Sequence, residues 1–237
     1  AASCPLENRP VSVSRFSKGR TMSFPSKGGN TLKPILAIDV GGGTQDILLW
    51  RPDVPLENCV KMVLPSQTAV VATRIRRCTL QGIPIFLTGN LMGGRASVWA
   101  IQEHLRNGYP VYAKAEAALT IYDNLDRVRA MGVTLVDEPP ADDLYTLYMA
   151  DVDLEALARA LAAFEVELPE SYAVAVQDHG FSPQGSNRLF RFKQWLDFLA
   201  LGGSLDQLWY TEPPAYLTRM RAVQSDLPGA LLMDTGA

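Results

Sequence analysis

The chain has 237 residues, of which 47% are hydrophobic and 20% charged. This composition is that of a soluble globular protein with a substantial core, and no apolar run approaches the ~20 residues of a membrane span. The net charge of −3 at pH 7 gives no general attraction for nucleic acid or for an anionic membrane.

The cysteines and the first residues of the chain bear on the cellular location of the protein. Cys4, Cys59 and Cys78 are widely spaced, which favours neither a disulfide framework nor a metal site, so a cytoplasmic protein is expected. Residues 1–33 are polar and lack hydrophobic periodicity, which predicts a disordered leader. Their basic residues would also suit a transit peptide, but we favour Met22 as the natural start.

A glycine-rich turn separates the first two predicted strands, over 35–40 and 46–51; a third strand is predicted over 59–64. The candidate ligand-binding residues of this turn are Gly41, Gly42, Gly43, Thr44 and Gln45. Glycine lets backbone N–H groups approach an anion closely. Asp39 beside them needs a cation to tolerate a phosphate, and Mg²⁺ is the usual one. The structural alternative is an ordinary hairpin turn.

Strands and helices then alternate. Helices are predicted over 68–80, 96–106 and 116–131, and strands over 84–88, 109–113 and 133–136. Gly82 suits the end of the first helix. The glycine-rich bend over 89–95 leads into the second helix, whose N-terminus is a possible anion site, although a plain turn is equally compatible.

The segment that follows is predicted to lie at the periphery of the fold. Residues 137–143 are acidic and contain proline, which is typical of an exposed loop, and a helix is expected over 151–165. We interpret the segment near 137–170 as an insertion.

A third chemical cluster follows the predicted strand over 171–176. Asp178 is a candidate base, Gln177 a candidate for positioning water, and His179 a possible proton carrier. Neighbouring residues of an extended chain point in opposite directions, so one of the first two is expected to face a ligand. A helix around Arg188 and Phe198, another over 214–223, and a final strand from 230 to Asp234 are also expected.

The runs over 39–46 and 230–237 resemble the two phosphate loops of the actin, sugar kinase and heat-shock chaperone ATPase superfamily. The resemblance implies an α/β fold: an actin-like, ribonuclease H-like lobe with a mixed sheet and flanking helices, and ATP with Mg²⁺ between two lobes. Residues 34–229 would form the first lobe and 230–237 would begin a second, largely missing one. Asp39 and Asp234 would order the metal, while Asp234, Thr235 and Gly236 would contact the nucleotide.

Two other interpretations of the last turn are possible. Asp234-Thr-Gly at a strand end could be an ordinary Asx turn. It also resembles the active-site strand of aspartic proteases, in which two carboxylates activate water. The chain has no second Asp-Thr/Ser-Gly motif, so a protease is disfavoured.

Three stretches, over 89–95, 122–125 and 177–181 with 186–188, resemble a prokaryotic family within this superfamily whose members are labelled pyruvate formate-lyase activating enzymes. The similarity spans residues 35–237. A radical enzyme of that kind needs three cysteines at C-x₃-C-x₂-C spacing, which the cysteines of this chain do not provide. The resemblance therefore implies, at most, an ATP-driven helper.

The sequence thus predicts an ATP- and Mg²⁺-dependent phosphotransferase or ATPase with an unidentified acceptor. The alternative is a nucleotide-gated regulator or scaffold that binds a partner protein without turning over a small molecule.

Overall fold

A computed structural model describes residues 32–182 and 185–236, so the predicted leader lies outside the described residues except at its end. The strands of the described part are β1 Ile35–Val40, β2 Thr44–Trp50, β3 Val60–Pro65, β4 Ile85–Gly89, β5 Val111–Ala113, β6 Val133–Leu135, β7 Tyr145–Met149, β8 Ser171–Val176, β9 Trp209–Tyr210 and β10 Leu231–Asp234. The helices are α1 Gln67–Gln81, α2 Arg95–Arg106, α3 Ala115–Ala118, α4 Leu125–Ala130, α5 Leu154–Ala162, α6 Asn187–Ala200 and α7 Thr218–Asp226.

The first sheet has six strands in the order β3-β2-β1-β8-β10-β9. β8 pairs in parallel with β1 on one side and with β10 on the other, whereas the remaining pairs are antiparallel. The predicted α/β class with a mixed sheet and flanking helices is confirmed. β10 is an inner strand of this sheet, whereas the sequence predicted residues 230–237 as the start of a second lobe.

One face of the first sheet forms a hydrophobic core. Side chains alternate along a strand, so every second residue of β1, β8 and β10 points to this face. The most buried are Leu36, Ile38, Val174, Val176 and Leu232. Helices α5 and α7 cover them, with Leu157 and Met220 in the same cluster. The segment predicted as a peripheral insertion therefore supplies α5 to the core.

The opposite face of the first sheet is open to solvent in the described part of the chain. Its middle is apolar, because Ala37, Ala175 and Met233 point to this side. Together with Trp209 they line a groove of about 610 Å³. The described residues thus cover one face of the sheet and leave the other face uncovered.

The second sheet has four parallel strands in the order β6-β5-β4-β7. β4 is buried over its first three residues, 85–87, as expected for a parallel strand that helices cover. Ile75 of α1, Ile101 of α2 and Val128 of α4 pack in the same cluster. None of the described helices combines the length and apolar character needed to cross a membrane.

Several elements differ from the predictions. β7 was not predicted, yet it pairs with β4 and buries Leu147 and Met149. β9, of two residues, was also not predicted. The single helix expected over 116–131 is wrong: α3 and α4 are separated by a turn, because the Asn124 side chain accepts hydrogen bonds from the amides of Asp126 and Arg127 and so starts a new helix.

Candidate functional site

The glycine-rich turn between β1 and β2 is tight, and its tip is exposed. The Gly41 amide donates a hydrogen bond to the Thr44 carbonyl oxygen at 2.9 Å, and a Cβ atom at Gly41 would lie 2.7 Å from that oxygen. Only glycine fits there without a backbone shift. Gly42, Gly43 and Thr44 are exposed, which leaves the tip accessible to a ligand.

The two residues that follow Thr44 point to opposite faces. Gln45 is 3% exposed, and its Nε2 donates to the Pro65 carbonyl oxygen at 3.0 Å, so the side chain anchors the end of β3. Asp46 is exposed and lies directly opposite Asp39 in the β1–β2 ladder. The structure thus turns the predicted Gln45 away from solvent and places a second, unpredicted carboxylate beside Asp39.

Asp39 and Asp234 lie on opposite faces of the first sheet. In the ladder Asp39 is level with Ala175, whereas Asp234 is level with the next residue, Val176. Because side chains alternate along strands, Asp39 points to the open face and Asp234 to the buried one. The structure does not bring the two predicted metal ligands together.

The turn at the end of β10 is closed on itself. Asp234 is fully buried, its Oδ1 accepts a hydrogen bond from the Gly236 amide at 3.0 Å, and its Oδ2 pairs with Arg191. The Thr235 amide donates to the Val176 carbonyl oxygen at 3.3 Å. This geometry is that of the Asx turn given as the structural alternative.

Asp178 and Gln177 also have structural partners. Asp178 is fully buried, and its two oxygens accept hydrogen bonds from the amides of Gly180 at 2.8 Å and Met220 at 3.0 Å. The second bond caps the N-terminus of α7. The Gln177 carbonyl oxygen accepts from Arg219 Nη1 at 2.8 Å, while its side chain is exposed. The engaged carboxylate of Asp178 is poorly placed to act as a base.

His179 remains accessible beside an acidic partner. Its Nε2 lies 3.6 Å from Asp123 Oδ2, and its side chain is 58% exposed. Contact with the Asp123 carboxylate raises the pKa of His179, although burial opposes the shift. Asn187 Nδ2 donates to the same Asp123 oxygen at 2.5 Å. Asp123 thus links His179 to the start of α6.

A second loop, over 91–95, approaches the glycine turn. Arg95, the first residue of α2, has a φ of +26°, in the region that favours glycine. A Cβ atom at Gly42 would lie 2.6 Å from Arg95 Nη1, so the guanidinium rests against the tip of the turn. Strained non-glycine residues of this kind cluster at functional sites. Arg95 therefore joins the two glycine-rich segments.

A largely buried ion pair, with Arg219 14% and Asp151 2% exposed, holds this loop in place. Arg219 Nε and Nη2 donate to the two oxygens of Asp151, each at 2.7 Å. Asp151 Oδ1 also accepts from the Gly93 amide at 3.0 Å. Since Arg219 belongs to α7 and also binds the Gln177 carbonyl oxygen, it ties the second sheet to the end of β8. Two charges that satisfy each other in this geometry act as a structural clamp.

These segments surround a cavity of about 480 Å³. Its walls are the loop over 91–95, the turn over 119–124, and the side chains of Arg127, His179 and Arg219. Arg127 stacks on the Tyr122 ring, 4.6 Å from its centroid. Cationic groups outnumber the single carboxylate of Asp123 in this wall, so the cavity favours an anionic ligand.

The three stretches whose sequence carries the family resemblance meet in this cavity. Residues 89–95, 122–125 and His179 all contribute to it or to its supports. Sequence reasoning missed Asp123, Arg127, Asp151 and Arg219. A helix was predicted across Asp123 and Arg127, which concealed the turn, and the partnership of Asp151 with Arg219 has no local signal because 68 positions separate them.

Comparison with known proteins gives one family. The model of the family described as "Putative pyruvate format-lyase activating enzyme (DUF1786)" matches residues 92–237, which include the cavity loop from Met92 onward, the turn over 119–124 and His179. Neither the curated proteins nor the solved structures give a significant match. The match covers more than half of the chain, and the chain therefore belongs to this family.

Proposed function

We propose that the chain binds the phosphate groups of Mg-ATP between the glycine turn and Arg95, as part of an ATP-dependent phosphotransferase or ATPase. The proposal includes the relationship to the actin-like superfamily, for which the mixed first sheet and the turn at its first hairpin are the support. The phosphoryl acceptor is a further, unidentified molecule.

The contact between Arg95 and Gly42 carries the proposal. A guanidinium offers planar donors that match phosphate oxygens, and the backbone amides of the exposed residues 42 and 43 add uncharged donors. Arg95 also opens α2, a helix of 12 residues whose positive dipole end favours an anion, while the Ser97 amide of its first turn already donates to Thr68 Oγ1. Three kinds of phosphate-binding group thus converge on one small region.

Asp39 supplies the metal ligand in this proposal. It precedes the turn on the open face, and Asp46 lies directly across the hairpin from it. Mg²⁺ is commonly held by one or two carboxylates together with water and phosphate oxygens. Asp234 takes no part, because it lies on the other face and pairs with Arg191.

His179 is the better candidate for moving a proton. Asp178, predicted as the base, has both oxygens occupied by backbone amides. His179 lines the cavity, is exposed, and has its pKa raised by contact with Asp123, so its imidazole can exchange a proton with a ligand held there. Positioning and charge neutralisation by Arg95 and the metal would supply much of the remaining catalysis.

Calorimetric titration with Mg-ATP tests this proposal. We expect Arg95→Ala to weaken binding by about 10- to 100-fold, since a charge-assisted hydrogen bond is lost. Arg106→Ala is the matched control, because Arg106 lies at the other end of α2 and, among the described residues, its side chain bonds only to the Gln102 carbonyl oxygen of its own helix. Asp39→Asn should reduce the dependence on Mg²⁺. Equal affinities of the Arg95 and Arg106 variants would refute the proposal.

A nucleotide-gated regulator is a second candidate, favoured by the open apolar face of the first sheet. The groove of about 610 Å³ over this face reaches Asp39 at its edge, so a nucleotide at the turn would lie near a partner bound there. ADP release measured with and without small hydroxyl compounds separates the two candidates. A phosphotransferase releases ADP in an acceptor-dependent manner, whereas a regulator does not.

A further inference from the structure

The cavity beside His179 has room for a second molecule next to the phosphates. Its volume of about 480 Å³ lies within the range of pockets that hold small organic molecules. The proposed phosphate site occupies only the corner of this cavity at Arg95. The rest of the wall, formed by the turn over 119–124, Arg127 and His179, does not hold the phosphates in that proposal. The cavity can therefore take a further ligand beside the nucleotide.

Two of the charged side chains in this wall already have partners. Arg219 donates two hydrogen bonds of 2.7 Å to Asp151, so its charge is neutralised. Asp123 accepts a hydrogen bond from Asn187 Nδ2 at 2.5 Å and lies 3.6 Å from His179 Nε2. Recognition of a charged ligand therefore depends on the other side chains of the wall.

Arg127 is a cation of this wall whose charge is available to a ligand. Its guanidinium lies over the Tyr122 ring, 4.6 Å from the centroid, and among the described residues it has no acidic partner. Arg129 of the same helix, α4, pairs with Asp126 at 2.8 Å. Arg127 is exposed, so a ligand can reach it. A guanidinium that rests on an aromatic ring still offers two parallel donors, which match the two oxygens of a carboxylate.

His179 supplies a proton acceptor in the same cavity. Its side chain is 58% exposed, and its Nε2 faces Asp123. The Nδ1 atom is then the nitrogen that can exchange a proton with a ligand. A neutral imidazole accepts a proton from a reacting hydroxyl group, whereas a carboxylate has no proton to give at neutral pH. The cavity therefore suits a ligand that carries both a carboxylate and a hydroxyl group.

On the basis of the proposed function, we propose that this cavity binds the phosphoryl acceptor and that the acceptor is a small hydroxy acid. Its carboxylate pairs with Arg127, and its hydroxyl group lies between His179 and the γ-phosphate held at Arg95. The hydroxyl oxygen forms a bond to the γ-phosphorus as the bond to the β–γ bridging oxygen breaks, and the hydroxyl proton passes to His179. The products are ADP, which leaves with the bridging oxygen, and the phosphate ester of the hydroxy acid.

Glycerate, erythronate and gluconate are the probes, since they are hydroxy acids of increasing length. Glycerol, erythritol and sorbitol are their matched neutral compounds, in which a CH₂OH group replaces the carboxylate. Calorimetry without nucleotide should show binding of at least one acid, and its matched alcohol should bind at least about tenfold more weakly, because a charge-assisted pair is lost. Equal binding of acid and alcohol, or binding of none of the three acids, would overturn the proposal.

Two substitutions separate binding from proton transfer. Arg127→Gln should weaken binding of the hydroxy acid by about 10- to 100-fold, whereas Arg129→Gln, the control on the same helix, should not. His179→Gln should leave this affinity nearly unchanged but reduce acceptor-dependent ADP release by about 100-fold or more, since a general base is lost. Unchanged binding in Arg127→Gln, or unchanged turnover in His179→Gln, would contradict the proposal.

The Mg-ATP titration distinguishes failure of the acceptor site from failure of the phosphate site. Mg-ATP affinity should not change in Arg127→Gln, because Arg127 belongs to α4 and lies outside the phosphate site. Arg95-dependent binding of Mg-ATP without Arg127-dependent binding of a hydroxy acid would refute the acceptor site alone. The reverse result would support an acid-binding cavity and overturn its role in phosphoryl transfer.

Discussion

Asp178 caps a helix that lies 42 positions further along the chain, because its Oδ2 accepts a hydrogen bond from the Met220 amide at 3.0 Å. Its Oδ1 is occupied by the Gly180 amide. We expect Asp178→Ala to lower the free energy of unfolding by about 2–3 kcal/mol, as two hydrogen bonds to a buried charge are lost. Urea denaturation measures this change, with Asp142→Ala in the exposed acidic loop as control. Unchanged stability would contradict the capping role of the carboxylate.

His179 should make stability depend on pH. Asp123 raises the pKa of the folded-state imidazole above its value in the unfolded chain. The resulting stabilisation is fully present below the unfolded pKa and is lost as the pH rises through the folded pKa. His179→Gln should therefore lower the melting temperature more at about pH 5.5 than at about pH 8.5. Asp123→Asn should lower the His179 pKa in an NMR titration; an unchanged pKa would contradict the assigned cause.

The backbone conformation of Arg95 should lower the stability of the protein. A side chain at its φ of +26° is strained, whereas glycine adopts this region freely. Arg95→Gly and Arg95→Ala both remove the guanidinium, but only glycine relieves the backbone. The glycine variant should be more stable than the alanine variant by about 1 kcal/mol. Thermal unfolding of the pair provides the measurement, and the reverse order would exclude strain at this position.

The Asp151–Arg219 pair should be more costly to break than to replace. Arg219→Ala leaves Asp151 buried and unpaired, so we expect a loss of about 3–5 kcal/mol. Replacing both residues, as in Asp151→Leu with Arg219→Met, should cost less than Arg219→Ala alone. Chemical denaturation of the single and double variants forms the test cycle, and additive losses would mean that the two charges do not interact.

Local sequence patterns predicted the individual helices and strands better than the way in which the strands pair into sheets. β8 begins and ends where its apolar run over 171–176 does, and Gly82 ends α1 with a φ of +68°, as expected. β7 was missed because Thr146 and Tyr148 interrupt its apolar residues, and only pairing with β4 makes it a strand. The separation of the strands into two sheets depends on contacts between distant residues, which a single sequence does not reveal.

The candidate site was predicted in its parts and not in its geometry. The glycine turn, the bend over 89–95 and His179 were identified from residue type and position, and the structure brings Arg95 to Gly42. The pairing of Asp39 with Asp234 assumed that two acidic strand ends face the same side. A difference of one residue in register places them on opposite faces, and no local property of either turn encodes that register.

The pairing of β1 with β8 has a consequence for biosynthesis. Ile35 is level with Ser171, so the whole second sheet is translated between two adjacent strands of the first. The second sheet is contiguous in sequence, from α1 to β7, and can assemble while the nascent chain is still growing. The meander of β1, β2 and β3 is synthesised first, and the edge of β1 that pairs with β8 remains unpaired until β8 has been translated. Chaperone capture and ribosome-stalling experiments should therefore find this meander vulnerable until β8 leaves the exit tunnel.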